Sequence, residues 1–418
     1  MTDRYIATGL RPPAPLRRLA RVLGLLPLLV LATACATRQE DVLRPVPAAA
    51  EASRVEMLVV TTRQPDADPG LLYSGERGDA ISFDSIQVSI PPDRSRKLGE
   101  IQWPARALPD PKREFAVLGV RRAPSERQIL DWFRRNRNAK RQALIFVHGF
   151  NNTYADAVFR LAQLKHDAGI TAAPILFTWP SRASVFDYLY DKESTTYSRR
   201  ALEELIVQAS RSPDVGEVTI LAHSMGTWLT MEALRGVAMR EGAIPAKVKD
   251  VVLASPDIDV DVFRRQMIEI GHKPPRFTIL ASTADRALEF SRWISGGVSR
   301  VGGADLGPYA EITKLLGIRV IDTSTATSAD PLGHNAFADS PEMVAVLGRT
   351  LSGQSLQSDR ADLIGQVGGV AIGTANLVGS AARAVASPSA ALAVSEVRSI
   401  REQQSGLKQR ISNGRLAY

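Results

Sequence analysis

Cysteine is all but missing: 418 residues hold one, Cys35, so no internal disulfide can form. With that lone thiol and five histidines, no His/Cys spacing suits zinc, and no metal or other cofactor is expected. Asp257, Asp259 and Asp261 alternate as in a solvated loop, without the glycine and closing glutamate of a calcium loop. Gly296-Gly297 and Gly302-Gly303 lack the Lys-Ser/Thr partner of a phosphate-binding loop. Aromatic residues, 6% of the chain, are too diffuse to mark a pocket. The net charge of +8 does not amount to a basic surface. Four of the excess positive charges fall in residues 1–34 and three after residue 395, leaving the body almost neutral, which excludes a nucleic-acid partner as the first reading. The oligomeric state is not legible.

What the chain does have begins with a basic, apolar leader. Arg4, Arg11, Arg17, Arg18 and Arg21 precede Val22 to Ala34, a run too short to span a bilayer and closed by small residues, so residues 1–34 read as an export signal. Leu31-Ala-Thr-Ala-Cys35 resembles a bacterial lipobox, with Ala32 where leucine is usual. The resemblance implies cleavage before Cys35, lipid on its thiol, and anchoring at the cell envelope. With Ala36 next, the expected place is the outer membrane, facing the periplasm. Residues 35–54, with Pro45, Pro47 and an alanine run, read as the tether. At the other end, residues 351–418 form a Gly/Ala-rich tail. Its uncharged stretch from Leu363 to Ala382 carries Gly365, Gly369 and Gly373 at helical spacing, but is too polar to expect a membrane span.

Between these ends, residues 55–350 read as one catalytic domain. Val55 to Thr62, the alternating Ile86, Val88 and Ile90, and Phe115 to Val120 predict a β-rich start, followed by a helix over Ser125 to Arg135. From Ala143 the pattern changes. Apolar strands at 143–147, 175–178, 218–221, 251–254, 277–281 and 318–321 alternate with amphipathic helices, which predicts a mostly parallel sheet covered on both faces. Polar residues follow the strands, where such sheets gather their chemistry. They are His148-Gly-Phe-Asn-Asn152, Ser255-Pro-Asp-Ile-Asp259, Ser282-Thr-Ala-Asp285 and Asp330-Pro-Leu-Gly-His334. Between the strand at 218–221 and a helix sits Ala222-His-Ser-Met-Gly226, a nucleophile elbow with alanine in place of its first glycine.

The body resembles the α/β-hydrolase superfamily, and within it the bacterial esterase/lipase-like family DUF900. The resemblance rests on Val147-His-Gly-Phe-Asn-Asn152, Thr178-Trp-Pro-Ser181, the elbow, Ser255-Pro-Asp-Ile-Asp259, Asp285-Arg-Ala-Leu288, Thr61-Thr-Arg63 and Ser89-Ile-Pro-Pro92, and covers residues 55 to 345. It implies a serine hydrolase acting on a carboxylic ester or other acyl substrate, which the leader would place at the cell envelope. Ser224 is then the expected nucleophile and His334 the base, since His148, His166, His223 and His272 sit in a loop turn, on a helix, inside the elbow and in a Lys/Pro-rich loop. Asp285 is preferred as the acid, with Asp257 as the alternative, and the backbone N–H groups of Phe150 and Met225 are expected to form the oxyanion hole. Ser291 to Gly307, rich in glycine, is a candidate gate. A non-catalytic envelope protein on this fold, or an acyltransferase or peptidase with the same residues, remains open.

Overall fold

The computed structural model describes residues 39–122, 125–271, 274–306, 313 and 316–352. The leader, Cys35, His272, Gly307 and the tail beyond Ser352 lie outside the described residues. The elements all belong to one unit that begins at Asp41.

Among the described residues nine strands make a single sheet in the order β3-β2-β1-β5-β4-β6-β7-β8-β9. β1 (Ser53–Pro65), β2 (Tyr73–Ile90) and β3 (Ala116–Arg122) form an antiparallel meander. The other six strands are β4 (Gln142–Val147), β5 (Ala173–Thr178), β6 (Glu217–His223), β7 (Val248–Ala254), β8 (Arg276–Ala281) and β9 (Ile318–Asp322). They are parallel to one another, and β1 joins them by lying parallel to β5. The two kinds of strand differ as their sequences require. β5 is buried at every position, whereas β2 alternates over much of its length, because a strand with one wet face needs apolar residues only at every second position.

Helices cover both faces: α1 (Glu126–Asn136), α2 (Tyr154–Asp167), α3 (Tyr188–Arg211), α4 (Met225–Glu241), α5 (Val260–Ile270), α6 (Arg286–Ile294), α7 (Ala336–Asp339) and α8 (Pro341–Leu351). Their starts follow local chemistry. Ser125 caps α1 and Thr153 caps α2, each in a reciprocal capping box with the residue three further on. Alternate residues of β4 feed two cores. Leu144 and Phe146 pack with α2 and α8, while Ala143, Ile145 and Val147 pack with α3 and α4. No helix among the described residues is long and apolar enough to cross a membrane.

The sheet register sets the site. Val147 pairs with Ala222, His223 with Ala254, Ala254 with Leu280, and Ala281 with Asp322, so the strands end along one edge. Loops leaving that edge bring together residues far apart in sequence, and β4, flanked by β5 and β6, is where the chain order reverses.

Candidate active site

At the head of β6 the chain turns sharply into α4 through Ser224, whose φ of 52° and ψ of −126° no unstrained L-residue adopts. The turn is held by its surroundings. Ser224 N–H donates to the Ala254 carbonyl (2.9 Å), and the Ser224 carbonyl accepts from Thr227 N–H (2.9 Å) and Thr227 Oγ1 (2.6 Å). Small neighbours make the turn possible. A Cβ on Gly226 would lie 2.2 Å from the His148 carbonyl oxygen, and one on Gly149 would lie 2.9 Å from both Ser224 Cβ and His223 Nδ1. Ala222, fully buried, is accommodated where the usual pattern has glycine. Met225 opens α4, so its N–H has no acceptor within the helix.

Of the four histidines among the described residues, His334 is the one joined to a carboxylate beside this turn. Its Nδ1 lies 2.7 Å from Asp285 Oδ2. Asp285 ends the loop after β8 and caps α6, its other oxygen accepting from Leu288 N–H (3.1 Å). The His334 loop is shaped by Asp330, whose Oδ2 accepts from the N–H groups of His334 (3.0 Å) and Asn335 (3.2 Å). His223 underlies it. The His223 ring sits 4.7 Å from that of His334, and its Nε2 lies 3.2 Å from the His334 carbonyl, to which it donates. Burial pulls the His334 pKa down, but the Asp285 carboxylate, with Asp330 and Asp257 adding to it, offsets this and leaves it above the ordinary histidine value. Because the carboxylate takes the Nδ1 proton, Nε2 carries the free lone pair at neutral charge. His334 bonds Asp285, Asp330 and His223, and none of these bonds runs to Ser224 Oγ.

Asp257, the alternative acid, is committed elsewhere. Its oxygens lie 3.0 Å from Tyr188 Oη, 2.6 Å from Ser291 Oγ and 3.3 Å from Arg300 Nε. Burial, with Asp257 adding to it, pushes the Tyr188 pKa up to about 12. The segment proposed as a gate is tied at several points. Ser291 is buried in this network, Val301 N–H bonds the Ile258 carbonyl, and Gly302 bonds Pro256 and Ser282. A Cβ on Gly302 would lie 2.5 Å from backbone atoms of Ser255 and Pro256, so this glycine serves close packing rather than mobility.

The other expected residues fall into distinct places. His148 is buried and stacks on Trp179 with ring centroids 4.8 Å apart, and its pKa is lowered to about 3, chiefly by burial and also by Arg63. His166 lies in the last turn of α2 beside Asp93, 3.0 Å away. Phe150 packs edge-on against Tyr188 at 5.3 Å, on the same side of the elbow as the Asp257 network. Among the described residues no group of His, Cys, Asp and Glu side chains is arranged to hold a metal ion.

Solved structures that resemble the chain include the lin2722 gene product of Listeria innocua, at 11% identity over 51% of this chain and 94% of that one, with a TM-score of 0.34. The esterase Pf2001 of Pyrococcus furiosus resembles it at 10% identity over 75% of this chain and 98% of that one, with a TM-score of 0.31. A fungal esterase from Rhizomucor miehei does so at 12% identity over 82% and 92%, with a TM-score of 0.34. No curated protein matches. Residues 125–351 match the family described as alpha/beta hydrolase of unknown function (DUF900), and with a match over more than half its length the chain belongs to that family of α/β-hydrolases.

Proposed function

We propose that this protein is a serine hydrolase that cleaves carboxylic esters through an acyl intermediate on Ser224. The observation that carries the reading is the 2.7 Å contact between His334 Nδ1 and Asp285, delivered from two strand ends to the side of the strained Ser224 turn. Ester hydrolysis needs an activated hydroxyl, a base that later acts as acid, a carboxylate to orient it, and donors for the oxyanion. In the reaction as we draw it, Ser224 Oγ attacks the ester carbonyl carbon and its proton passes to His334 Nε2. The N–H groups of Met225 and Phe150 take the charge on the oxyanion. The imidazolium, stabilised by Asp285, protonates the departing alkoxide. Water then attacks the acyl-serine by the same route, releasing the acid and restoring the Ser224 proton. No step calls on a cofactor.

Fluorophosphonate labelling of the purified chain tests this directly. Wild type is expected to label and Ser224→Ala to remain unlabelled. A folded wild type that does not label removes the serine mechanism. Faster turnover of an amide than of its matched ester would move the reading to a peptidase.

The place of action follows from the leader. Lipid on Cys35 would hold the enzyme at the envelope, on the outer membrane facing the periplasm, close to acyl substrates. Cys35→Ser is expected to move the protein from the membrane to the soluble fraction of lysed cells. Unchanged membrane association would dismiss the lipid anchor.

A further inference from the structure

The hydrogen bonds that shape the loop after β4 converge on a side chain outside the proposed catalytic set. Resting on the hydrolase reading above, we infer that Arg63 is the positioning residue of the oxyanion-side loop. Arg63 stands near the end of β1, where the register with β2 shifts on both sides of it, a bulge that re-aims the side chain. It is 1% exposed, and its guanidinium reaches three separate segments. Nε donates to Thr178 Oγ1 (2.9 Å), Nη1 to the carbonyls of Ser74 (3.1 Å) and Ser181 (3.0 Å), and Nη2 to the carbonyl of Asn152 (2.7 Å). Burial lowers its pKa to about 10, with Asp191 and Asp156 opposing, so the group stays charged at neutral pH. Asp191 holds one of these segments a second time, accepting from Ser181 Oγ (2.5 Å) and Arg182 N–H (3.1 Å).

The consequence for the oxyanion donor follows proton by proton. Thr178 Oγ1 accepts from Arg63, so its own proton goes to His148 Nε2, 3.0 Å away, which also accepts from Trp179 N–H (3.1 Å). His148 Nε2 therefore carries no proton, and Nδ1–H donates to the Gly149 carbonyl (2.8 Å). In a trans peptide the carbonyl and the following N–H point in opposite directions, so a clamp on the Gly149 carbonyl fixes the direction of the Phe150 N–H. The next carbonyl, of Phe150, is taken by Asn152 Nδ2 (2.7 Å), and that of Asn152 by Arg63 itself. One cation thus holds the loop at both ends. Lysine cannot replace it, because an ammonium on a flexible stem lacks the planar fork that meets four acceptors at fixed angles.

The test uses the full chain with Arg63→Lys and, as a milder near-isosteric second variant, Thr178→Val. Three quantities are read: kcat and KM on a short-chain p-nitrophenyl ester, fluorophosphonate labelling, and amide hydrogen exchange. In Arg63→Lys, exchange across residues 149–152 should quicken by at least about 10-fold while β4 and β6 keep their protection. Its kcat should fall about 100-fold, the scale of a lost oxyanion donor. KM should stay within about threefold, because the contact is made to the transition state rather than to the substrate. Thr178→Val should show the same split with smaller amplitude. Unchanged loop exchange, or a loosened loop with kcat retained, overturns the assignment while the wild type remains an active hydrolase. A wild type that neither turns over the ester nor labels overturns the hydrolase reading and this inference with it, and the two failures are thereby told apart.

Discussion

Asp285→Asn is expected to lower kcat on an ester substrate by about 10⁴-fold, the scale seen when the acid of such a set becomes an amide and the histidine adopts the wrong tautomer. Asparagine preserves the shape and can still cap α6 through Leu288 N–H, so the folded structure should survive. What it loses is the acceptor for the Nδ1 proton and the charge that raises the His334 pKa. The pH profile should move accordingly. In wild type kcat/KM rises with pH as His334 gives up its proton, and in Asp285→Asn the remaining activity should rise at lower pH. Asp257→Asn should behave in the opposite way. That carboxylate faces the buried Arg300 and not His334, so its removal strands a cation and should cost about 3 kcal/mol of stability while kcat falls far less. Urea unfolding and steady-state kinetics on the two variants separate the roles. A 10⁴-fold fall in Asp257→Asn with Asp285→Asn near wild type would reverse the assignment.

The second large effect is acid lability. His148 and His223 are both held neutral: burial is the main cause in each, taking His148 to about 3 and His223 well below its ordinary value. Unfolded, both titrate near about 6.5. Below that pH the unfolded chain gains protons that the folded chain refuses, so stability falls as pH falls, by about 1.4 kcal/mol per unit for each ring. His334 has the other sign. Its raised pKa contributes stability that is complete below about 6.5 and is lost only as pH rises through the folded value, so it does not offset the slope. For His148 alone two pH units below about 6.5 amount to about 3 kcal/mol, and His223 acts in the same direction, a large share of the stability of many domains. Urea unfolding at pH 7, 6, 5 and 4.5 should show this decline, with His148→Gln roughly halving its slope. A flat profile over that range would show that these rings do not stay neutral in the fold.

The sequence made the parallel core readable because each of its strands is a short apolar run followed by a polar cluster, and the sheet places those clusters on one edge. β4 to β9 accordingly fall within three residues of their expected bounds. β2 extends well beyond the alternation at Ile86, Val88 and Ile90, since a strand exposed on one face carries little apolar signal. The choice between Asp257 and Asp285 was not decidable from order, because each ends a loop after a parallel strand. Only the direction in which each carboxylate faces separates them, toward Tyr188 and Arg300 or toward His334. Arg63 was visible as part of a motif but silent about its role. Three of its four acceptors are backbone carbonyls, which leave no trace in residue identity.

The pairing of β1 with β5 also bears on how the protein reaches this state. Arg63 and Thr178 are 115 residues apart, and the antiparallel meander that carries Arg63 can form from neighbouring segments long before β5 is available. Closing so large a loop costs chain entropy before any contact repays it, and topologies rich in such distant pairings fold slowly. On a nascent chain every acceptor of Arg63 lies before residue 182 and emerges ahead of Ser224, so this clamp can close before the turn at Ser224 has been made.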